Sequence, residues 1–328
     1  MFTIRRRALI WAAGFALAAP AKAQAQGAAR WPSRPVRLVV AFAAGGNTDL
    51  IARMLAEHLT ADLGQPMVVE NRTGAAGIIG AEAVVRSAPD GYTLFLGSLS
   101  TQAIHVSLYQ GRLPYNPISD FTPVSRTTVG THMLIVHPSV QATNVAELIA
   151  LARSKPGDFT YGSGGNGTST HISGEMFKQM AGVDLLHVPF RSTAPAATAL
   201  IAGQLHMMFD TFSSALPQVR QGRARALAVT SLQRQPAMPD LPTVAETLPG
   251  FEADTWDGVF GPAGLPPAVI ERVDGAVRAA LSNPALVSRL AAVGLQPFPG
   301  GPAELAAFQR AEIEKWGRVV RTADIKPD

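Results

Sequence analysis

The chain has 328 residues, 28 of them basic and 24 acidic, a formal net charge of +4, and no cysteine. Its length exceeds one comfortable hydrophobic core and implies two lobes, while the missing cysteine excludes disulfides, thiolate metal sites, a cysteine nucleophile and a lipid anchor on cysteine. Arg5, Arg6, Arg7 and Lys22 are four of the basic residues, so without residues 1–25 the remaining 24 match the 24 acidic ones. The apparent basicity then belongs to one end of the chain. No Lys/Arg-rich stripe with interleaved aromatics remains, and nucleic acid is excluded as a partner.

In chain order, Arg5–Arg7 precede an apolar run over 8–19 that is too short to span a bilayer. Small-residue sites follow at Ala21-Lys22-Ala23 and Ala23-Gln24-Ala25. The pattern predicts a signal peptide over 1–25, exported by the Sec or the twin-arginine route, with a mature chain starting at Gln24 or Gln26 in the periplasm. Beyond it, β-branched and aromatic runs at 36–42, 67–70, 93–97, 133–136, 186–190, 205–210 and 224–230 read as strands. Helical periodicity appears at 48–63, 78–87, 144–154, 169–181, 194–202 and 267–282. The alternation predicts an α/β fold of parallel layers with ligands at the carboxyl ends of strands. Pro/Gly punctuation over 112–123 and 236–267 reads as loops or crossovers.

Two glycine-rich junctions stand out, Phe42-Ala43-Ala44-Gly45-Gly46-Asn47-Thr48-Asp49 and Tyr161-Gly162-Ser163-Gly164-Gly165-Asn166-Gly167-Thr168-Ser169. Each reads as strand, tight turn and helix start, a junction whose free N–H groups and helix dipole favour an anion. Gly45 and Gly46 would let a ligand approach the backbone, or merely shape the turn. Asp49 reads as a structural group of the first helical turn, because a bare carboxylate there would repel an anion. Ser163, Gly165, Asn166 and Thr168 are the candidates in the second loop, some of which must cap the helix. Ser98 and Thr101 follow the 93–97 strand and face the same cleft, or close a turn. Arg191, after the 186–190 strand, could hold a distal carboxylate or stand in solvent. Phe42 and Phe190 could wall the cleft or belong to the core. His171 and Glu175 lie one helical turn apart but lack further ligands for a metal, so no metal and no cofactor is expected.

Trp31-Pro32-Ser33-Arg34-Pro35-Val36-Arg37-Leu38-Val39-Val40, Val68-Val69-Glu70-Asn71-Arg72, Ala88-Pro89-Asp90-Gly91-Tyr92-Thr93-Leu94 and Tyr161 through Gly174 form ordered blocks. With Ala226 through Ser231, Asp240 through Glu246 and Ala311 through Trp316, they resemble the Bug-type periplasmic solute-binding proteins of tripartite tricarboxylate transporters. The resemblance runs over essentially the whole mature chain. It implies a two-lobed clamp of the type II-like, Venus-flytrap kind, crossed twice by the chain near 126–131 and 222–228. Lobe one would comprise 31–127 plus 229–328, and lobe two 128–228. The ligand implied is a small organic carboxylate, held between the first β-α loop and the glycine-rich loop largely through ordered waters. The partners implied are the membrane permease subunits of such a transporter, with the receptor itself a monomer. Asp210 falls where the family has an acidic residue lining the far end of the cleft; it would select a donor on the ligand or pin the hinge. Ala43 and Ala44 stand where the family usually has two prolines.

A rival reading comes from Gly162-Ser163-Gly164-Gly165-Asn166-Gly167, which satisfies G-x-G-x-x-G between a strand and a helix. It suggests an exported enzyme that uses the loop for a nucleotide or phosphorylated substrate. Against it stand the export signal, the mid-chain position of the motif, and the lack of G-x-S-x-G, H-E-x-x-H or a P-loop. The expectation is a binding protein without catalysis.

Overall fold

The computed structural model describes residues 31–326, so the expected signal segment at 1–25 lies outside the described residues. The compact body begins at Pro32 and is organised on two sheets. In the first half, β1 (Val36–Val40) leads through α1 (Asn47–Leu63) to β2 (Met67–Asn71), and α2 (Ile78–Val85) leads to β3 (Thr93–Ser98). A π-helical turn over Ser100–Ile104 and α3 (His105–Leu108) precede β4 (Phe121–Gly130). In the second half, β5 (His132–Val136), α4 (Val145–Ser154), β6 (Thr160–Ser163), α5 (Ser169–Ala181), β7 (Leu186–Pro189), α6 (Thr193–Ile201), β8 (Met207–Thr211), α7 (Phe212–Arg220) and β9 (Arg225–Val229) follow in order. The chain then returns through β10 (Thr255–Pro262), α8 (Pro267–Leu281), α9 (Pro284–Ala291), β11 (Leu295–Gly300) and α10 (Pro302–Thr322).

The first sheet runs β11-β4-β10-β3-β1-β2 and the second β7-β6-β8-β5-β9. The strands and helices expected from apolar periodicity form within two residues of their expected bounds. Two differences are physical. Both sheets are mixed and not parallel: β10 runs antiparallel to β3 and β4, and β5 antiparallel to β8 and β9. The 236–267 stretch, read as loop, contains β10, which is buried along its whole length in the middle of the first sheet. Gly258, Gly261 and Pro262 hide it from propensity, and its neighbours come from far earlier in the chain.

Local caps place the helix starts. Thr168 sits extended before α5 and accepts from the N–H of His171, and Asn144 does the same for Glu147 at α4. Left-handed glycines stop α1 at Gly64 and α5 at Gly182. The long last helix packs back on the first sheet. There the Glu312 carboxylate accepts from the indole N–H groups of Trp256 and Trp316 at 3.0 and 2.9 Å, so a buried acid is satisfied between two buried aromatics. Among the described residues, no helix is long and apolar enough to cross a membrane.

The chain passes from the first sheet to the second through Thr131, between β4 and β5, and leaves the second after Val229. These passages are tied side by side. Thr131 and Thr230 share a hydroxyl hydrogen bond of 2.9 Å, the N–H of His132 donates to Thr230 Oγ1 at 2.9 Å, and the N–H of Ser231 donates to Thr131 Oγ1 at 3.0 Å. Thr230 also donates to Asp254 Oδ1 at 3.4 Å.

Candidate functional site

β6 runs parallel to both β7 and β8, so α5, α6 and α7 all start at the carboxyl ends of three neighbouring strands. β1 and β3 do the same for the first half, offering the start of α1 and the turn after Ser98. Between these two edges lies a cavity of about 280 Å³. Its walls are the loop Phe42–Thr48, Ser98 and Ser100 on one side, and Gly164, Thr168–Thr170, Ser192–Ala194, Thr211 and Ser214 on the other, with Thr255. Among the described residues none of those lining it carries a charged side chain. The chemistry on offer is hydroxyl and amide donors, helix dipoles and a small apolar wall of Phe42, Ala43, Ala44 and Ala194.

The structure brings Phe42, Gly45, Gly46, Ser98 and Thr168 together in this lining. Asp49, Thr101, Ser163, Gly165, Asn166, Phe190, Arg191 and Asp210 stand outside it. Asp49, 2 % exposed, accepts from the N–H of Gly45 and from Arg53 Nε, both at 2.9 Å, and from Asn71 Nδ2 at 2.9 Å. Burial raises its pKa, but the hydrogen bonds from Arg53, Gly45 and Asn71 outweigh this and hold the carboxyl below its ordinary value. It clasps the first loop. Thr101 closes the turn at Ser98, accepting from its N–H at 3.1 Å and donating to its carbonyl at 3.3 Å. Arg191 is exposed, and Phe190 packs on the core of the second half. Asp210 is fully buried under the start of α7, where it accepts from the N–H of Thr211 at 2.8 Å. Burial raises its carboxyl to about 7, with hydrogen bonds from Ser214 and Thr211 acting against the rise.

The second glycine-rich loop differs in kind from the expected nest of free donors. The N–H groups of Gly164, Gly165 and Gly167 donate to Thr170 Oγ1, Ser163 Oγ and His171 Nδ1 at 3.1, 3.1 and 3.2 Å. Ser163 in turn lies 2.7 Å from His187 Nε2, and His187 stacks on His171 with ring centroids 4.2 Å apart. The N–H of Ser169 crosses to Ser100 Oγ at 3.2 Å. Having spent these donors on its own shape, the loop has none of them left to cradle a phosphate, which removes the physical basis of the G-x-G-x-x-G reading. Its contribution to the cavity is made by side-chain oxygens. Across the cavity, Ser98 is 5 % exposed and its hydroxyl has no hydrogen-bond partner.

Several lining residues escaped the sequence reading. Ser192 and Thr193 stand between β7 and the first turn of α6, and Thr211 and Ser214 at the end of β8 and in the first turn of α7, the same signal that singled out the glycine loops, but without glycine to draw attention. Thr255 had no local signal, because a return strand brings it in.

The site is ringed by buried titratable groups. Burial pushes His105, His132, His171 and His187 down to about 3, 4, 4 and 3. Unfolded histidines protonate near 6.5, so the stability these four contribute is complete above that pH and is lost as pH falls below it. Burial pushes Asp254 and Asp257 up to about 7, so their contribution is complete below 3.8 and is lost as pH rises through 7. Asp257 faces Thr48 from below the first loop. Asp257→Asn should therefore raise the melting temperature by a few degrees at pH 8 and give no gain at pH 4. Equal offsets at both pH values would show that this carboxyl does not titrate differently in the fold.

With this geometry in view, the comparisons decide the class. Residues 51–325 match the model of the tripartite tricarboxylate transporter family receptor. The chain belongs to that family. A protein of Pseudomonas sp. (strain P51), named "UPF0065 protein in tcbD-tcbE intergenic region", is 38 % identical over 319 residues, covering 96 % of this chain and 94 % of the relative. The solved structure of R. palustris Rpa4515 with adipate is 36 % identical with a TM-score of 0.88, covering 91 % of this chain and all of that one. MatC from Rhodopseudomonas palustris with bound malate is 34 % identical with a TM-score of 0.83, covering 88 % and 100 %. This family receptor thus has the two-lobed, type II-like α/β fold of periplasmic binding proteins. It is a solute-binding protein and not an enzyme.

Proposed function

We propose that this receptor works in the periplasm, where it captures a small organic carboxylate between its halves and delivers it unchanged to the membrane permease subunits of a tripartite tricarboxylate transporter. The observation that carries the reading is the cavity between two strand-end edges, walled by hydroxyls and helix starts and without a charged side chain. Such a site stabilises an anion through dipoles and hydrogen bonds and releases it without breaking an ion pair. Relatives solved with adipate and malate support carboxylates as the class. Lobes of 31–127 plus 229–328 and of 128–228 would close about the paired passages at Thr131 and Thr230. The export segment over 1–25 would be cleaved, and the receptor would act as a monomer.

A melting-temperature screen of mono-, di- and tricarboxylates tests this directly. A ligand present at 100 times its dissociation constant stabilises the native state by about 2.7 kcal/mol, a clear upward shift. The expected result is a shift with a free dicarboxylate, none with its diester, and full recovery of the ligand after incubation. Equal shifts with acid and ester, or conversion of the ligand, would defeat the reading.

A further inference from the structure

His132 is fully buried immediately after the passage at Thr131, and its ring touches both the return segment and the cavity wall. Its Nδ1 lies 3.1 Å from the carbonyl of Ala253, and its Nε2 lies 3.1 Å from Ser169 Oγ. A carbonyl can only accept, so the ring proton sits on Nδ1. Burial pushes the ring pKa down to about 4, so no second proton sits on Nε2 at neutral pH. Nε2 is then an acceptor, and among the described residues the group facing it that can donate is the Ser169 hydroxyl. Ser173 agrees with this polarity: its hydroxyl donates to the Ser169 carbonyl at 2.9 Å, leaving its oxygen to share the Nδ1 proton at 3.3 Å.

Ser169 lines the cavity. With its hydroxyl hydrogen committed to His132, it presents lone pairs alone to whatever enters. The neighbouring hydroxyl does not duplicate this role. Thr168 Oγ1 donates to the Gly165 carbonyl at 2.7 Å, and its oxygen already faces the N–H of His171 at 3.4 Å and Thr170 Oγ1 at 3.1 Å. In a cavity otherwise rich in donors, an oriented acceptor is a reader of a donor on the ligand.

We infer that Ser169, oriented by His132, accepts a hydrogen bond from a hydroxyl on the ligand, so that the receptor selects a hydroxy-dicarboxylate over the same dicarboxylate without the hydroxyl. The inference rests on the carboxylate reading above and deepens it. His132 is a positioning residue here, since it acts on ligand through Ser169. A hydroxyl is favoured over an ammonium at the same carbon, because among the described residues lining the cavity there is no carboxylate to balance a positive charge.

The test is calorimetry with matched pairs: succinate against malate, glutarate against 2-hydroxyglutarate, adipate against 2-hydroxyadipate, and malate against aspartate. The unmodified receptor should bind the hydroxylated member of its preferred length about fivefold or more tightly, the scale of one hydrogen bond, and malate more tightly than aspartate. Ser169→Ala should bring the hydroxyl preference to about one, while Ser169→Thr should retain it. His132→Asn keeps an N–H for the Ala253 carbonyl but presents nothing to Ser169, and should also erase the preference, with melting curves confirming a folded receptor. Equal affinity within every pair in the unmodified receptor, a preference surviving Ser169→Ala, or aspartate outranking malate would overturn the inference. If every carboxylate fails to bind, the underlying functional reading falls first and this inference with it.

Discussion

Leucine at Gly46 should lower carboxylate affinity by two orders of magnitude or more while leaving the melting temperature nearly unchanged, whereas leucine at Gly165 should damage both. The two glycines look alike in sequence. Gly46 has φ −76°, which any residue adopts, and a Cβ there would meet only the Ala43 carbonyl at 3.2 Å. Because Gly46 lines the cavity, the rest of the side chain would have the ligand's space to enter. Gly165 has φ +114°, and a Cβ would come within 2.9 Å of the Phe190 carbonyl, a backbone atom that cannot swing aside. The backbone conformation alone costs a branched side chain about 1–3 kcal/mol. The clash adds to it and pulls the loop away from Ser163 and Thr168, which Gly165 bonds through its N–H and carbonyl. Calorimetry together with urea melts separates the two outcomes. Ligand affinity unchanged by the Gly46 substitution would remove the first loop from the site, and an unshifted urea midpoint for the Gly165 substitution would show that the loop's shape is not set by that glycine.

The same contrast shows what a sequence can disclose. Alternating apolar runs and helix starts revealed most strands and helices, because the physics behind them is local: period, caps and turn glycines. β4, β10, β11 and the mixed direction of both sheets were invisible for the opposite reason. They depend on pairings between residues far apart in the chain, as between His132 and Thr211 or between Trp256 and Val129, and no local propensity reports such a partner. At the site, sequence drew attention to the glycines and to the hydroxyls beside them or after the 93–97 strand. The structure gives much of the cavity wall to Ser100, Ser192, Thr193, Thr211 and Ser214 as well. Hydroxyls are common and their roles depend on which way the hydrogen points. For Ser169 that direction is set by His132, 37 residues earlier in the chain. Such a dependence is legible only once the fold has brought the pair together.

Asp49→Ala should destabilise the receptor by about 1–2 kcal/mol, the penalty of removing a buried acceptor that ties three donors together, and lower ligand affinity at least tenfold. Asp49 stands in the first turn of α1 with one oxygen taken by Gly45 N–H and Arg53, and the other by Asn71. The cost stays at that level because Arg53 is half exposed and rehydrates when its partner is lost. Gly45 is exposed as well, so the penalty falls mainly on the partly buried Asn71. Asn71 also donates to the Phe42 carbonyl at 3.0 Å, so releasing it loosens both ends of the loop that forms one wall of the cavity. Asp49→Asn is the decisive companion. All three neighbours are donors, and an amide offers one acceptor oxygen where the carboxylate offers two, turning its N–H₂ toward a second donor. It should therefore be nearly as damaging as alanine, despite having the same shape. Thermal melts and calorimetry on the pair check this. An asparagine variant with unmodified stability and affinity would mean that the loop is held by packing alone, and that the carboxylate's three hydrogen bonds contribute nothing to the shape of the site.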